Sequence, residues 1–305
     1  MSKNWNIIRL IEEGWSADKK YHIKDNRGLQ YLLRISEGQS YEEESHLYNA
    51  LRKLNNEDLT ISKLLDSGLC NNGKNTFRLF SWVEGVEIIK IIGTLSEEEQ
   101  YDYGYDSGKI LRKIHEIESP SNQLSWREHY NQKIDKKIEL YRNCGITFPN
   151  SECVIDYIQN QRSLINERPQ SFHHGDYHLG NMLLTPDKKL GVIDFNRLDF
   201  GDPWEEFNRV PWSASKSIWF ASGQINGYFS NEVPKGFFEL MALYIGVNLI
   251  GSIPWAIPYG DKEMKILLSQ TKEVLEWYGN FHQSKPKWYQ KKYIKRIKNT
   301  AIHKS

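Results

Sequence analysis

Cysteine is scarce in this chain. Cys70, Cys144 and Cys153 are odd in number, scattered over 305 residues and without C-x-x-C spacing. Neither a disulfide framework nor a zinc site is indicated, and a reducing compartment is the natural setting. Long apolar runs are missing too. The richest region, 237–258, is interrupted by Glu239, Asn248, Ser252 and Pro254. Its unbroken core, 240–247, falls far short of the roughly twenty residues that a bilayer requires, so a buried helix is expected and no transmembrane segment. The N-terminal apolar stretch is short and broken by Arg9, Glu12 and Glu13, unlike a signal peptide. A cytoplasmic location is expected. There is no low-complexity tract and no internal repeat.

Net charge is nearly absent as well, at +1, but it is unevenly spread. Beyond Ser284 stand eight Lys or Arg residues and no acid, which leaves the rest of the chain at about −7. An acidic body disfavours nucleic acid and attracts cationic small molecules. Aromatics interleave with lysines in the tail, at Trp288, Tyr289 and Tyr293, and predict an amphipathic helix over 285–305.

What is present is a closely spaced set of oxygen-bearing side chains. The segment His174-Gly175-Asp176-Tyr177-His178-Leu179-Gly180-Asn181 is followed by Ile193-Asp194-Phe195. Phosphoryl-transfer enzymes of the kinase type use an aspartate in H-x-D, an asparagine five residues on, and a metal-holding aspartate before Phe on the next hairpin. The chemistry accounts for the spacing. A hard Mg²⁺ ion prefers amide and carboxylate oxygens, here Asn181 and Asp194, while Asp176 is free to orient an acceptor hydroxyl and take its proton. By chance such a set arises in on the order of one chain in a thousand. Short apolar strands at 181–184 and 190–193 flank the turn-prone Thr185-Pro186-Asp187-Lys188-Lys189 and place the set on a hairpin.

The first third reads as β-rich. Strands at 21–24 and 30–35 flank Asp25-Asn26-Arg27-Gly28. The stretch 12–18 stands where a phosphate-covering loop is expected, with the single glycine Gly14. In the following helix, Glu44 continues the stripe Leu47, Leu51, Leu54 and predicts an inward partner for the strand cation. That cation is Arg34, where the kinase template has lysine. Arginine is longer and planar, so the exchange is not conservative. A strand at 76–83 leads to a hinge, in which Ser81, Trp82 and Val83 are the candidates to meet the purine edge of a nucleotide.

From Leu95 the chain is helical. Ser96 followed by three glutamates predicts a capped helix start. Further helices are expected at 125–141, 152–165, 204–212, 218–229, 234–253 and 262–279. The expected architecture is therefore α+β and bilobal: a small antiparallel β-rich lobe over 1–83 and a large, mainly helical lobe over 84–305.

These motifs, with Gly201-Asp202-Pro203, resemble the aminoglycoside phosphotransferase family, the antibiotic and small-molecule kinases that share the protein-kinase fold. The resemblance implies Asp176 as catalytic base, Asn181 and Asp194 as Mg²⁺ ligands, Arg34 with Glu44 as the phosphate-contacting pair, and ATP or GTP as donor. His178 matches the family histidine that braces the loop. The acceptor is expected to be an aminoglycoside-like compound, or alternatively choline, an amino sugar or a similar alcohol. Asp199, Asp202, Glu205, Glu206, Glu239 and Asp261 are the carboxylates available to its ammonium groups, and Trp212, Trp219, Trp255 and Tyr259 the aromatic wall. Between Asp194 and Glu206 no residue carries a hydroxyl, so no activation by phosphorylation is expected there. A nucleotide-binding pseudokinase is the reading that Arg34 would otherwise favour.

Overall fold

The computed structural model describes residues 5–12, 17–37 and 41–291. Of the expected phosphate-covering loop, 12–18, residues 13–16 lie outside the described residues, as does the tail beyond Lys291. The chain divides into two units. One comprises Met1–Glu87 and Asn181–Leu198, the other Ile88–Gly180 and Asp199–Ser305. The catalytic-type hairpin therefore clusters with the N-terminal segment, although it is distant from it in sequence.

The first unit is built on five antiparallel strands: β1 (Asn6–Ile11), β2 (Lys19–Lys24), β3 (Gln30–Glu37), β4 (Leu64–Cys70) and β5 (Asn75–Ser81), in the order β1-β2-β3-β5-β4. The β2–β3 turn forms where the sequence predicts it. Asp25 Oδ1 accepts the N–H groups of Arg27 and Leu29, and Gly28 supplies the left-handed backbone at φ +87°. Helix α1 (Tyr41–Lys53) lies on β4 and closes a core that includes Ile23, Leu51, Leu64, Leu79 and Phe80. A second sheet joins β6 (Val86–Glu87), β8 (Met182–Leu184) and β9 (Leu190–Val192). It is tied to residues 60–62 by Ser62 N–H to Val192 C=O and Val192 N–H to Thr60 C=O.

The second unit is mainly helical, so the molecule is α+β as expected. It contains α2 (Ile88–Ile91), α3 (Glu97–Ile114), α4 (Trp126–Asn143), α5 (Ser151–Gln161), the short antiparallel pair β7 (Ser171–His173) and β10 (Asp199–Gly201), then α6 (Val210–Ala214), α7 (Ile218–Tyr228), α8 (Phe237–Ala256) and α9 (Asp261–Trp277). Helix α3 begins with the predicted cap. Ser96 Oγ accepts Glu99 N–H while the Glu99 carboxylate accepts Ser96 N–H. The region expected as one helix over 204–212 is instead a 3₁₀ stretch, Glu205–Arg209, followed by α6, with Pro211 in the first turn of α6. Pro254 does not end α8, which runs on to Ala256 with the proline inside its last turn.

Helix α8 is long and apolar enough to cross a membrane by length and composition, and 67% of its most apolar stretch is buried within the fold. It packs against α4, α5 and α9. The described start of the tail, 285–291, is not helical. Pro286 interrupts it, and Trp288 and Tyr289 are buried, with Tyr289 Oη donating to Asn226 Oδ1 at 2.5 Å.

Helices α3 and α7 meet backbone to backbone. A Cβ on Gly104 would stand 2.1 Å from Phe220 O, one on Gly108 2.1 Å from Gln224 O, and one on Gly227 2.0 Å from Tyr105 O. Gly227→Ala should therefore force the helices apart and destabilise the protein by about 3 kcal/mol. Chemical denaturation at unchanged m-value measures this, whereas Gly93→Ala, with open space around it, should leave the midpoint almost unmoved.

Candidate active site

In the first unit the site residues converge on a buried arginine. Arg34, at the centre of β3, is 2% exposed. Its Nε donates to Asp18 Oδ2 at 2.9 Å and its Nη1 to Asp194 Oδ1 at 2.5 Å. The β3–β5 register sets Arg78 directly opposite Arg34, and period-two alternation places both on one face. Arg78 Nη2 also donates to Asp18 Oδ2, at 2.9 Å, and to Ser36 Oγ. Burial alone would raise the Asp18 pKa, but the Ser36 hydrogen bond and the Arg34 and Arg78 charges outweigh it and hold the carboxyl below its ordinary value. One carboxylate thus serves two buried guanidinium groups.

Asp194 follows β9 with a left-handed backbone, φ +67°. Such a conformation is uncommon outside glycine but tolerated by Asp and Asn. Its carboxylate is 41% exposed although its partner is buried, so a fixed cation holds an accessible anion. Asn181, just before β8, accepts the Ile193 N–H on its carbonyl at 3.0 Å. This bond extends the β8–β9 ladder and brings the backbones of Asn181 and Asp194 together across the hairpin. The amide and carboxylate oxygens are hard donors of the type that Mg²⁺ takes, so the residues present fit that ion.

Glu44 does not take the expected place beside Arg34. It accepts from Tyr48 Oη one turn along α1, while Asp18 and Asp194 occupy the guanidinium. The rigid fork of arginine requires acceptors in its own plane, and the two aspartates supply them. Of the hinge candidates, Ser81 uses both backbone groups, N–H to Lys63 C=O and C=O to Ser62 Oγ. Trp82 N–H donates to Gln30 C=O, and its ring stacks on His22 at 3.7 Å. Val83 makes no backbone–backbone hydrogen bond to another described residue.

In the second unit Asp176 lies on the loop after β7. Arg209 Nε stands 3.2 Å from Asp176 Oδ1, an ion pair without hydrogen-bond geometry, and His178 Nε2 is 3.7 Å from the same oxygen. His178 Nδ1 accepts Gly180 N–H at 3.0 Å, which braces the loop. Tyr177 Oη donates to Ser107 C=O and Leu179 N–H to Ser213 Oγ.

The loop is shaped from beneath by Glu206. Its carboxylate is 1% exposed and accepts His174 N–H at 2.7 Å and Gly175 N–H at 2.8 Å, with His115 Nε2 3.5 Å away. Burial pushes the Glu206 pKa up, but the His115 imidazole beside it and the charges of His173 and His174 prevail and bring it down to about 2. Asp202 is fully buried and accepts Arg168 through both oxygens, at 2.7 and 2.9 Å, as well as Tyr244 Oη at 2.5 Å. Glu205 pairs with Lys133 at 3.0 Å. Three of the carboxylates expected to await an acceptor are therefore already bonded inside the fold.

Asp18, Arg78 and the role of Glu206 are not apparent from the motifs. A lone cation inside the apolar strand Phe77-Arg78-Leu79-Phe80 is the one local signal for Arg78. Nothing in the sequence pairs Asp18 with residues sixteen and sixty positions away.

Residues 7–236 match the family model of the phosphotransferase enzyme family, APH. No curated protein sequence matches the chain. Among solved structures, the chain is similar to the amicoumacin kinase hAmiN in complex with AMP-PNP, Ca²⁺ and Ami, at 13% identity and TM-score 0.64, covering 92% of this chain and 90% of that one. It is also similar to the ADP-bound aminoglycoside phosphotransferase APH(2'')-Ib, at 18% identity and TM-score 0.58, covering 87% and 93%. A third is the GDP complex of aminoglycoside 2'-phosphotransferase-IIIa, at 12% identity and TM-score 0.61, covering 88% and 92%. At these identities the likeness shows the fold alone.

Because the folded-state pKa of Glu206 lies below the ordinary glutamate value, its stabilisation is complete above about pH 4.5 and is lost as pH falls toward 2. Its share of that loss should be about 3 kcal/mol. Glu206→Gln should be destabilised at neutral pH and show a shallower acid limb than wild type, as read from the melting temperature against pH.

Proposed function

The chain belongs to the phosphotransferase enzyme family, and on that premise we propose that it transfers the γ-phosphoryl group of ATP or GTP to a hydroxyl of a small molecule, with Mg²⁺ as its ion. The observation that carries this reading is the accessible Asp194 carboxylate, fixed by buried Arg34 on a left-handed backbone beside Asn181. A metal ligand must be both held and accessible, and the Asp194 carboxylate is both. Asn181 and Asp194 would hold the ion, which when bound neutralises charge on the phosphate oxygens.

Asp176 is the base. The acceptor oxygen forms a bond to the γ-phosphorus, the bond from that phosphorus to the bridging oxygen breaks, and ADP or GDP leaves with that electron pair. The hydroxyl proton passes to Asp176 Oδ late in the step, because the transition state is loose. Arg209 and His178 fix the carboxylate in place. Arg34, while bonded to Asp18 and Asp194, supplies positive charge for the donor phosphates, and Val83 presents its peptide groups to the base of the nucleotide. We place the enzyme in the cytoplasm, where its free thiols Cys70, Cys144 and Cys153 stay reduced.

Aminoglycosides, amino sugars and choline make up the acceptor range. The bonding of Asp202, Glu205 and Glu206 within the fold favours the end of that range with few amines.

Acceptor-dependent ADP or GDP release in Mg²⁺ should fall by about 10²–10⁴-fold in Asp176→Asn, with the nucleotide-induced thermal shift retained. Arg34→Ala should lose much of that shift. Nucleotide binding without release for any acceptor in the range would replace catalysis with a pseudokinase role.

A further inference from the structure

The Asp194 carboxylate is held by a chain of buried groups that lies wholly within the first unit. Arg34 Nη1 donates to Asp194 Oδ1 and Arg34 Nε to Asp18 Oδ2. The two aspartates meet the guanidinium through different nitrogens. Because the fork is rigid and planar, rotating it about its stem toward another anion breaks one bond or both. The aim of Arg34 at Asp194 therefore depends on how firmly Asp18 is fixed behind it.

Asp18 is fixed from two sides. Lys19 pairs with Ile35 at the end of the β2–β3 ladder, which brings the preceding Asp18 alongside Ser36, and Ser36 Oγ donates to Asp18 Oδ1 at 2.7 Å. From β5, Arg78 Nη2 donates to Asp18 Oδ2 at 2.9 Å and to Ser36 Oγ. Ser36 and Arg78 are buried, and the Asp18 side chain is 9% exposed against 41% for Asp194. The two carboxylates on Arg34 thus differ in kind. Asp18 is enclosed and bonded through both oxygens, which suits a support, while Asp194 faces outward, which suits a ligand.

Helix α1 contributes no carboxylate to this arrangement. Glu44 accepts from Tyr48 Oη, and α1 meets the network through the Tyr48 ring, which lies 6.0 Å from Arg78 Cζ. The anion behind the strand cation comes from the residue that leads into β2.

Resting on the phosphotransfer reading, we propose that Asp18 is a positioning residue of the donor site: backed by Ser36 and Arg78, it sets Arg34 so that the Asp194 carboxylate is presented to Mg²⁺, the part that Glu44 does not play. Asp18 touches neither the ion nor the nucleotide and acts through Arg34 alone.

Titration of Mg²⁺ into the protein at saturating ADP, read from the melting temperature, tests this without turnover. Half-saturating Mg²⁺ should rise about tenfold in Asp18→Asn, while ADP binding in EDTA, read by calorimetry, is retained. Glu44→Gln should keep the wild-type half-saturation. Asp18→Asn/Arg78→Gln removes one charge of each sign, so it keeps the buried charges balanced. It is the form measured if the single variant does not fold, with the same rise expected. A lowered melting temperature with unchanged half-saturation is the signature of a purely structural carboxylate and overturns the proposal. So does an equal rise in Glu44→Gln, or a wild-type melting temperature that Mg²⁺ does not move. Acceptor-dependent nucleotide release separates the two readings. A half-saturation that depends on Asp18 in a protein that releases nothing with any acceptor refutes phosphotransfer and leaves a nucleotide–metal site. Release by the wild type with a half-saturation indifferent to Asp18 refutes the positioning role and leaves phosphotransfer standing.

Discussion

A carboxylate removed from water must be repaid locally, and the Asp176 loop is organised around that requirement. Glu206 is buried, and the groups that satisfy it are the N–H donors of His174 and Gly175. Those donors point at Glu206 only if the chain turns sharply at Gly175, whose φ is +81°. The turn in turn directs Asp176 toward Arg209 rather than into the core. Desolvation thus acts as a positioning force: an ionised group that cannot leave the interior dictates the course of the backbone around it.

The first unit solves a similar problem with opposite sign. Two guanidinium groups face one another across β3 and β5 and share Asp18. The carboxylate of Asp194 supplies further negative charge for Arg34 but remains accessible. Lysine in this position would present a compact charge with rotatable donors. The planar fork of arginine reaches Asp18 and Asp194 together and ties a loop residue on the entry side of the sheet to the end of the distant hairpin.

How much of this is legible in the sequence differs by scale. The β2–β3 and β8–β9 hairpins, the capped start of α3 and the spacing of Asp176, Asn181 and Asp194 are local, and local patterns suffice for them. Arg34 is legible as the strand cation, but its partners are not. Helical periodicity favours Glu44, while the chain fold delivers Asp18 and Asp194, residues that no period relates to β3. Asp202 and Glu206 look like surface acids in a polar stretch. Only the tertiary structure, through Arg168, Tyr244 and the 174–175 turn, reveals that they are interior. Arg78 occupies the middle ground: a cation in an apolar strand signals a buried partner without naming it.

The glycine contacts between α3 and α7 have a thermal meaning. Where most helix pairs bury side-chain hydrocarbon, this pair brings Gly104, Gly108, Gly223 and Gly227 against peptide carbonyls. Hydrating peptide groups lowers heat capacity, while hydrating hydrocarbon raises it. Separation of these two helices therefore adds little to the heat-capacity increment of unfolding. The seam keeps a nearly constant strength between cold and warm conditions, while the apolar packing around α8 varies with temperature.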